Sequence, residues 1–208
     1  MKSMLISLFS IPVVKTNIGR EFTKDELQLF NTDIPMSGKV NDDSMHLQSE
    51  SYNIFDNFAE ELKDIKTFCE YELKRYLGEI EGVDIDIVTL QITQSWLNKI
   101  EPQEHHALHN HHNSHLSGIL YIRCLPNDCI EFTNTDRMYH ETLELPKKNI
   151  TQFTDVLTPV NVVEGDFIIF PSKTLHQVGV NKTKDKQRIS LSFDTWPTHI
   201  HSLYPPFK

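Results

Sequence analysis

The 208-residue chain predicts a mainly β fold with supporting helices: a double-stranded β-helix, or jelly roll, with an N-terminal helical segment packed on one sheet. Three observations predict it. Between Ile54 and Tyr76 the apolar residues recur at three- and four-residue steps. After Gly78 that periodicity gives way to short runs rich in β-branched and aromatic residues, parted by turn residues. No helical pattern separates those runs, as a parallel α/β sheet would require.

The elements follow in order. A short strand is predicted at Leu5–Val14, and Thr23 reads as the N-cap of a helix over "KDELQLF". "PMSGKVNDD" reads as a loop. Ser51 and Asn53 are candidate caps for one amphipathic helix, whose stripe is Ile54, Phe58, Leu62, Ile65, Cys69, Leu73 and Tyr76. The strands expected after it are "DIVTLQITQSWL", "GILYIRCL", "CIEFTN", "ITQFTDVL", "VNVV", "DFIIF", "LHQVGV" and "RISLSFDTW". Residues 1–208 then form one domain: 1–86 buttress the barrel, 87–196 make its core and 197–208 form a tail.

Bulk properties exclude several roles. A formal charge of −9 argues against sequence-independent nucleic-acid binding, which needs clustered Lys and Arg. Cys69, Cys124 and Cys129 are too few and oddly numbered for a disulfide scaffold, so reduced thiols and a cytoplasmic setting are expected. The apolar start "MKSMLISLFSIPVV" is broken by Ser3, Ser7, Ser10 and Pro12, unlike a signal peptide. No apolar run reaches the roughly 18 residues that span a bilayer.

The chemistry concentrates in "HHALHNHHNSHLSG", which holds six of the eleven histidines. On an extended segment residues i and i+2 share a face, so His109 and His111 point together and are candidate metal ligands. A third ligand must come from a distant strand, and "GDFIIFPSKTLHQV" offers His176. His105, His106, His112 and His115 are read as solvated loop, and His140, His199 and His201 as incidental. Twelve residues after His176, Arg188 and Ser190 share one face of the last strand, with Ile189, Leu191 and Phe193 on the other. An inward guanidinium needs an anion, and its planar fork suits a carboxylate. A metal with a carboxylate-bearing cosubstrate is the chemistry indicated. Trp96 and Asn98 are expected to face a substrate, and the stretch 134–150 to act as a lid.

His-x-Asp/Glu, a distant His and then Arg-x-Ser resembles the signature of Fe(II)/2-oxoglutarate-dependent oxygenases. "LFSIPVV", "QSWLN", "LHNHHNSHLSGILYI", "GDFIIFPSKTLHQV" and "RISLSFD", in this order, look like the 2-oxoglutarate oxygenase family frequent in marine bacteria and tailed phages. The resemblance implies Fe(II) on His109, His111 and His176, with Arg188 and Ser190 holding the distal carboxylate of 2-oxoglutarate. Tyr121 matches a strand tyrosine that bonds the same carboxylate in the prolyl-hydroxylase branch. It further implies O2 as cosubstrate, release of succinate and CO2, and hydroxylation of a small molecule or a protein side chain. The setting would be cytoplasmic (the host's, if phage-encoded), with no nucleic-acid or membrane partner and homodimerisation left open.

The chain departs from the superfamily at His111, where a carboxylate is usual, and at His112, where close relatives often have proline. Either His111 is a direct ligand, or it stands behind a water or a displaced carboxylate such as Glu104. Imidazole ligands favour iron over calcium or magnesium in either case. Two other readings remain: a cupin-like three-histidine dioxygenase without 2-oxoglutarate, and a non-catalytic metal-binding jelly roll within an assembly.

Overall fold

A computed structural model describes residues 10–41, 44–135, 146–151 and 154–198. Among these residues eleven strands form two antiparallel sheets, with the helices on the outer face of the larger one. The strands are β1 (Val14–Asn17), β2 (Met36–Asn41), β3 (Ser44–Ser49), β4 (Thr89–Ile100), β5 (His106–His109) and β6 (Leu116–Arg123). After them come β7 (Cys129–Thr133), β8 (Leu157–Asn161), β9 (Asp166–Pro171), β10 (His176–Val178) and β11 (Arg188–Thr198). The large sheet runs β1-β9-β6-β11-β4-β3-β2 and the small one β5-β10-β7-β8. This is the expected jelly roll.

Strand alternation divides the large sheet into two faces with different jobs. On β11, Ile189, Leu191 and Phe193 join Leu116, Leu120, Phe167 and Ile169 in a core shared with the helices. Arg188, Ser190, Ser192 and Asp194 point the other way, toward the small sheet, and all four are buried. A second apolar cluster, containing Ile119, Tyr121, Ile130, Phe132, Ile168 and Phe170, closes the space between the sheets. Gly118 keeps the helix-side core tight. A Cβ there would overlap the Phe193 ring.

The α-helices among the described residues are α1 (Lys24–Gln28), α2 (Ile54–Asn57) and α3 (Lys63–Arg75), with α1 and α3 each continued by a π-helical turn, Leu29–Asp33 and Tyr76–Ile80. Thr23 caps α1 as predicted: its hydroxyl accepts from the Glu26 N–H, and the Glu26 carboxylate accepts from the Thr23 N–H. The stripe from Ile54 to Tyr76 is buried apart from the half-buried Phe58, but it is not one helix: Ile54 lies in α2, Phe58 and Leu62 between the helices, Ile65, Cys69 and Leu73 in α3, and Tyr76 in the π-helical turn after it. Tertiary bonds explain the break. Asn53 bridges to Ser95, and the Phe55 N–H donates to Ser95 Oγ, so α2 is pinned to β4 and the chain turns before α3.

Three further expectations are corrected. "PMSGKVNDD" is not a loop, because β2 pairs with β3 as an antiparallel hairpin and extends the large sheet. The strand expected over Leu5–Val14 begins only at Val14; residues 1–9 lie outside the described set. Of the described residues of "ITQFTDVL", only Leu157 lies in a strand. The Thr154 and Asp155 N–H groups fold back on the Thr151 carbonyl, and pairing starts at Leu157. The strand that follows holds Pro159, tolerated because β8 is the outer strand of its sheet.

The stretch expected to be a lid falls largely in 136–145, outside the described residues, as do His140, His199, His201 and most of the tail. Cys69, Cys124 and Cys129 are free thiols, as expected. Among the described residues no helix is long and apolar enough to cross a membrane.

Candidate metal centre

Among the described residues, one group of side chains has the geometry of a metal site: His109, His111 and His176, with ligand atoms within 4.8 Å of one another. The fold assembles it from three places. His109 ends β5, His176 begins β10 and pairs with it in register, and His111 lies in the loop just after β5. The expectation that His109 and His111 share a strand face is therefore corrected. The strand ends first, because the His111 N–H is drawn to the Ser172 carbonyl, yet the two rings still converge, 5.3 Å apart.

All three rings are oriented alike. His109 Nδ1 lies 2.8 Å from the Ala107 carbonyl, and His176 Nδ1 lies 2.9 Å from that of Thr174. His111 Nδ1 lies 2.7 Å from Asp194 Oδ1. Each partner is an acceptor only, so each ring carries its proton on Nδ1 and leaves the Nε2 lone pair free. Burial lowers the pKa of His109 to about 4 and that of His176 well below its ordinary value, which keeps both rings neutral as ligands must be. Glu104 is not part of the group. Its carboxylate is held by the Glu101 N–H.

The same cavity is lined by Trp96, Asn98, Tyr121, Arg188, Ser190 and Ser192, as the sequence reading expected for the first five. Arg188 is 5% exposed and Tyr121 is 1% exposed. Burial pulls the Arg188 pKa down, countered by Tyr121 and Cys124. It pushes the Tyr121 hydroxyl up, so that group remains a proton donor. Among the described residues, Arg188 Nη1 and the Tyr121 hydroxyl have no hydrogen-bond partner. Two buried donors left unpaired in one cavity are costly unless a ligand supplies the acceptor.

Two carboxylates escaped the sequence reading. Asp128 grips Arg188 from the side, with its Oδ2 2.6 Å from Nε and its Oδ1 on Nη2. The turn between β6 and β7 aims it there, the Leu125 and Cys129 N–H groups each donating to one of its oxygens. No spacing rule links Asp128 to Arg188. Asp194 did leave a signal, since it continues the even-numbered face of β11 that begins at Arg188.

His106 was misread as solvated. It lines the cavity and stacks on His109, with ring centroids 3.9 Å apart and planes 13° from parallel. Simple alternation would put positions 106 and 109 on opposite faces. A bulge in the β5–β10 pairing puts them on one. His46 on β3 extends the stack, 4.0 Å from His106. His112 and His115 are exposed, as expected.

Comparisons with known proteins give one family model and a set of similar folds. Residues 94–194 match the family model described as "Putative 2OG-Fe(II) oxygenase". The fold is similar to that of the non-heme alpha-ketoglutarate-dependent epimerase SnoN from nogalamycin biosynthesis. The TM-score is 0.60 at 10% identity, over 95% of this chain and 88% of that one. The carbocyclase SnoK from the same biosynthesis gives 0.58 at 13% identity, over 89% and 79%. A prolyl-4-hydroxylase from Pseudomonas putida gives 0.50 at 11% identity, over 90% and 94%. No curated protein matches the chain by sequence.

Proposed function

We propose that residues 94–194, which match the model described as "Putative 2OG-Fe(II) oxygenase", work as a domain of that family with Fe(II) and 2-oxoglutarate, and we assign the roles of this chain's residues on that premise. The protein hydroxylates a small-molecule substrate, with release of succinate and CO2. The observation that carries the reading is the pairing of two features in one cavity. Three rings, each bonded through Nδ1, bring ligand atoms within 4.8 Å of one another, and two buried donors, Arg188 Nη1 and Tyr121 Oη, lack acceptors among the described residues.

His109, His111 and His176 would hold the iron. When bound, iron and 2-oxoglutarate supply the O2-dependent oxidative chemistry; the protein supplies binding, orientation and exclusion of water. Arg188 Nη1 and Tyr121 Oη would donate to the distal carboxylate of the cosubstrate, and Ser190, between Asn98 and Tyr121 in the sheet, would add a third donor. Asp128 holds the other edge of the guanidinium, so Arg188 meets the cosubstrate in one orientation. Trp96, whose ring lies 5.5 Å from that of His111, with the exposed Tyr52 beyond it, would form the wall that a substrate meets.

The all-histidine ligand set favours a second reading, a three-histidine dioxygenase in which Arg188 takes the substrate's own carboxylate. One experiment separates them. Protein loaded with Fe(II) in air is given 2-oxoglutarate and succinate is measured. Succinate above that made by a His176→Ala control supports the first reading. Its absence, with no 2-oxoglutarate binding to the Mn(II) form, supports the second.

A further inference from the structure

We infer that Asp194 is a positioning residue for the metal: it supplies, through His111, the negative charge that a directly bound carboxylate supplies elsewhere in the superfamily. This rests on the proposed iron site and assigns a function to a residue outside its ligands.

The observation is a buried charge with a single outlet. Asp194 is 7% exposed and His111 is 9% exposed, and they meet at 2.7 Å through Oδ1 and Nδ1. Ser117 Oγ donates to the same oxygen at 2.7 Å, and Ser172 Oγ lies 2.8 Å from Ser117 Oγ. One hydroxyl, backed by a second, therefore holds the carboxylate in place, but neither carries a charge to balance it. Among the described residues no Lys or Arg pairs with Asp194; its ion-pair partner is His111. A buried carboxylate without a cation is expensive, whereas one aimed at a metal-bound imidazole faces a dication one ring away.

The backbone is shaped for this. Regular alternation along β11 carries Asp194 to the cavity side with Arg188, Ser190 and Ser192, and the adjoining bulge, one extra residue at Thr93 on β4, leaves that phase unchanged. His109 and His176 rest on neutral carbonyls, so His111 alone receives a formal charge. Hydrogen-bonding to a carboxylate raises the basicity of the far nitrogen and fixes the tautomer. A three-histidine set thereby gains the net charge of a two-histidine, one-carboxylate set, with the anion placed behind the ring.

The test is metal affinity and ligand field, read without turnover. Metal-free protein is titrated with Co(II) against a competing chelator, and its visible spectrum recorded, for the parent, Asp194→Asn, His111→Asp and His111→Asp/Asp194→Asn. Asp194→Asn is expected to weaken Co(II) binding about tenfold to a hundredfold and to shift the Co(II) bands. In the His111→Asp background the sign reverses. Two carboxylates then crowd one place, and Asp194→Asn tightens binding.

Parent-like Co(II) affinity in Asp194→Asn overturns the inference. So does an equal loss in both backgrounds, which marks a merely structural residue. If Asp194→Asn does not fold, His111→Asp and the double variant still decide by the sign of their difference. His109→Ala and His176→Ala separate the two levels. Unchanged Co(II) binding there removes the iron site itself, while loss there with none in Asp194→Asn removes only the role of Asp194.

Discussion

Asp128→Asn should make the protein less stable and at the same time bind 2-oxoglutarate more tightly. Asp128 and Arg188 form a buried pair, 3% and 5% exposed, in which Arg188 Nη1 has no hydrogen-bond partner among the described residues. Removing one charge of such a pair costs about 3–5 kcal/mol. Asparagine keeps the shape and one acceptor, so the lower figure, about 3 kcal/mol, applies. In a domain of this size that lowers Tm by roughly 6–12 °C.

The cosubstrate responds in the opposite sense. Two carboxylates on opposite edges of one guanidinium lie about 7 Å apart, a repulsion of roughly 2 kcal/mol at an effective dielectric of about 20. The variant relieves that repulsion and leaves an arginine in need of an anion, so binding should tighten about tenfold or more. Thermal melts with and without 2-oxoglutarate, and calorimetry on the Mn(II) form, read both effects. Arg188→Met is the contrast. It should lose at least about 2 kcal/mol of 2-oxoglutarate binding, because it deletes a charge-assisted pair. If Asp128→Asn weakens 2-oxoglutarate as Arg188→Met does, the charge argument is refuted.

His109→Ala and His176→Ala should each abolish tight metal binding in a chelator competition, since no other carboxylate or imidazole joins the group among the described residues. Tyr121→Phe should weaken 2-oxoglutarate by about 1 kcal/mol with little change in Tm, as its hydroxyl has no partner among the described residues. Acid should destabilise the metal-free protein through His46, which burial holds at a pKa of about 4. The unfolded chain binds that proton near pH 6.5, so the stability is present above 6.5 and falls toward pH 4 by about 1.4 kcal/mol per unit. Urea unfolding of the parent and His46→Phe across that range should show a shallower acid loss in the variant. Gly118→Ala should cost about 1–3 kcal/mol, seen as a lower Tm, because its methyl would enter the space of the Phe193 ring.

Periodicity made the fold legible from sequence. A strand repeats every two residues, so "RISLSFDTW" showed its apolar and polar faces before any coordinate, and Arg188 and Ser190 could be placed inward from spacing alone. The same rule brought His109 and His176 forward as partners from separate strands, and they pair in register. Periodicity fails where the backbone departs from its period. The β5 bulge hid His106, the strand end at His109 moved His111 into a loop, and the Ser95 anchor broke the helix.

Charge partners are harder still. Asp128 lies 60 residues from Arg188 and Asp194 lies 83 from His111, and nothing local in the chain links either pair. A buried charge is stabilised by whatever group the folded chain brings beside it, because Coulomb attraction depends on distance in space and desolvation on enclosure. The sequence by itself therefore determined which residue types face the cavity. Only the tertiary structure decided which of them answer one another's charge.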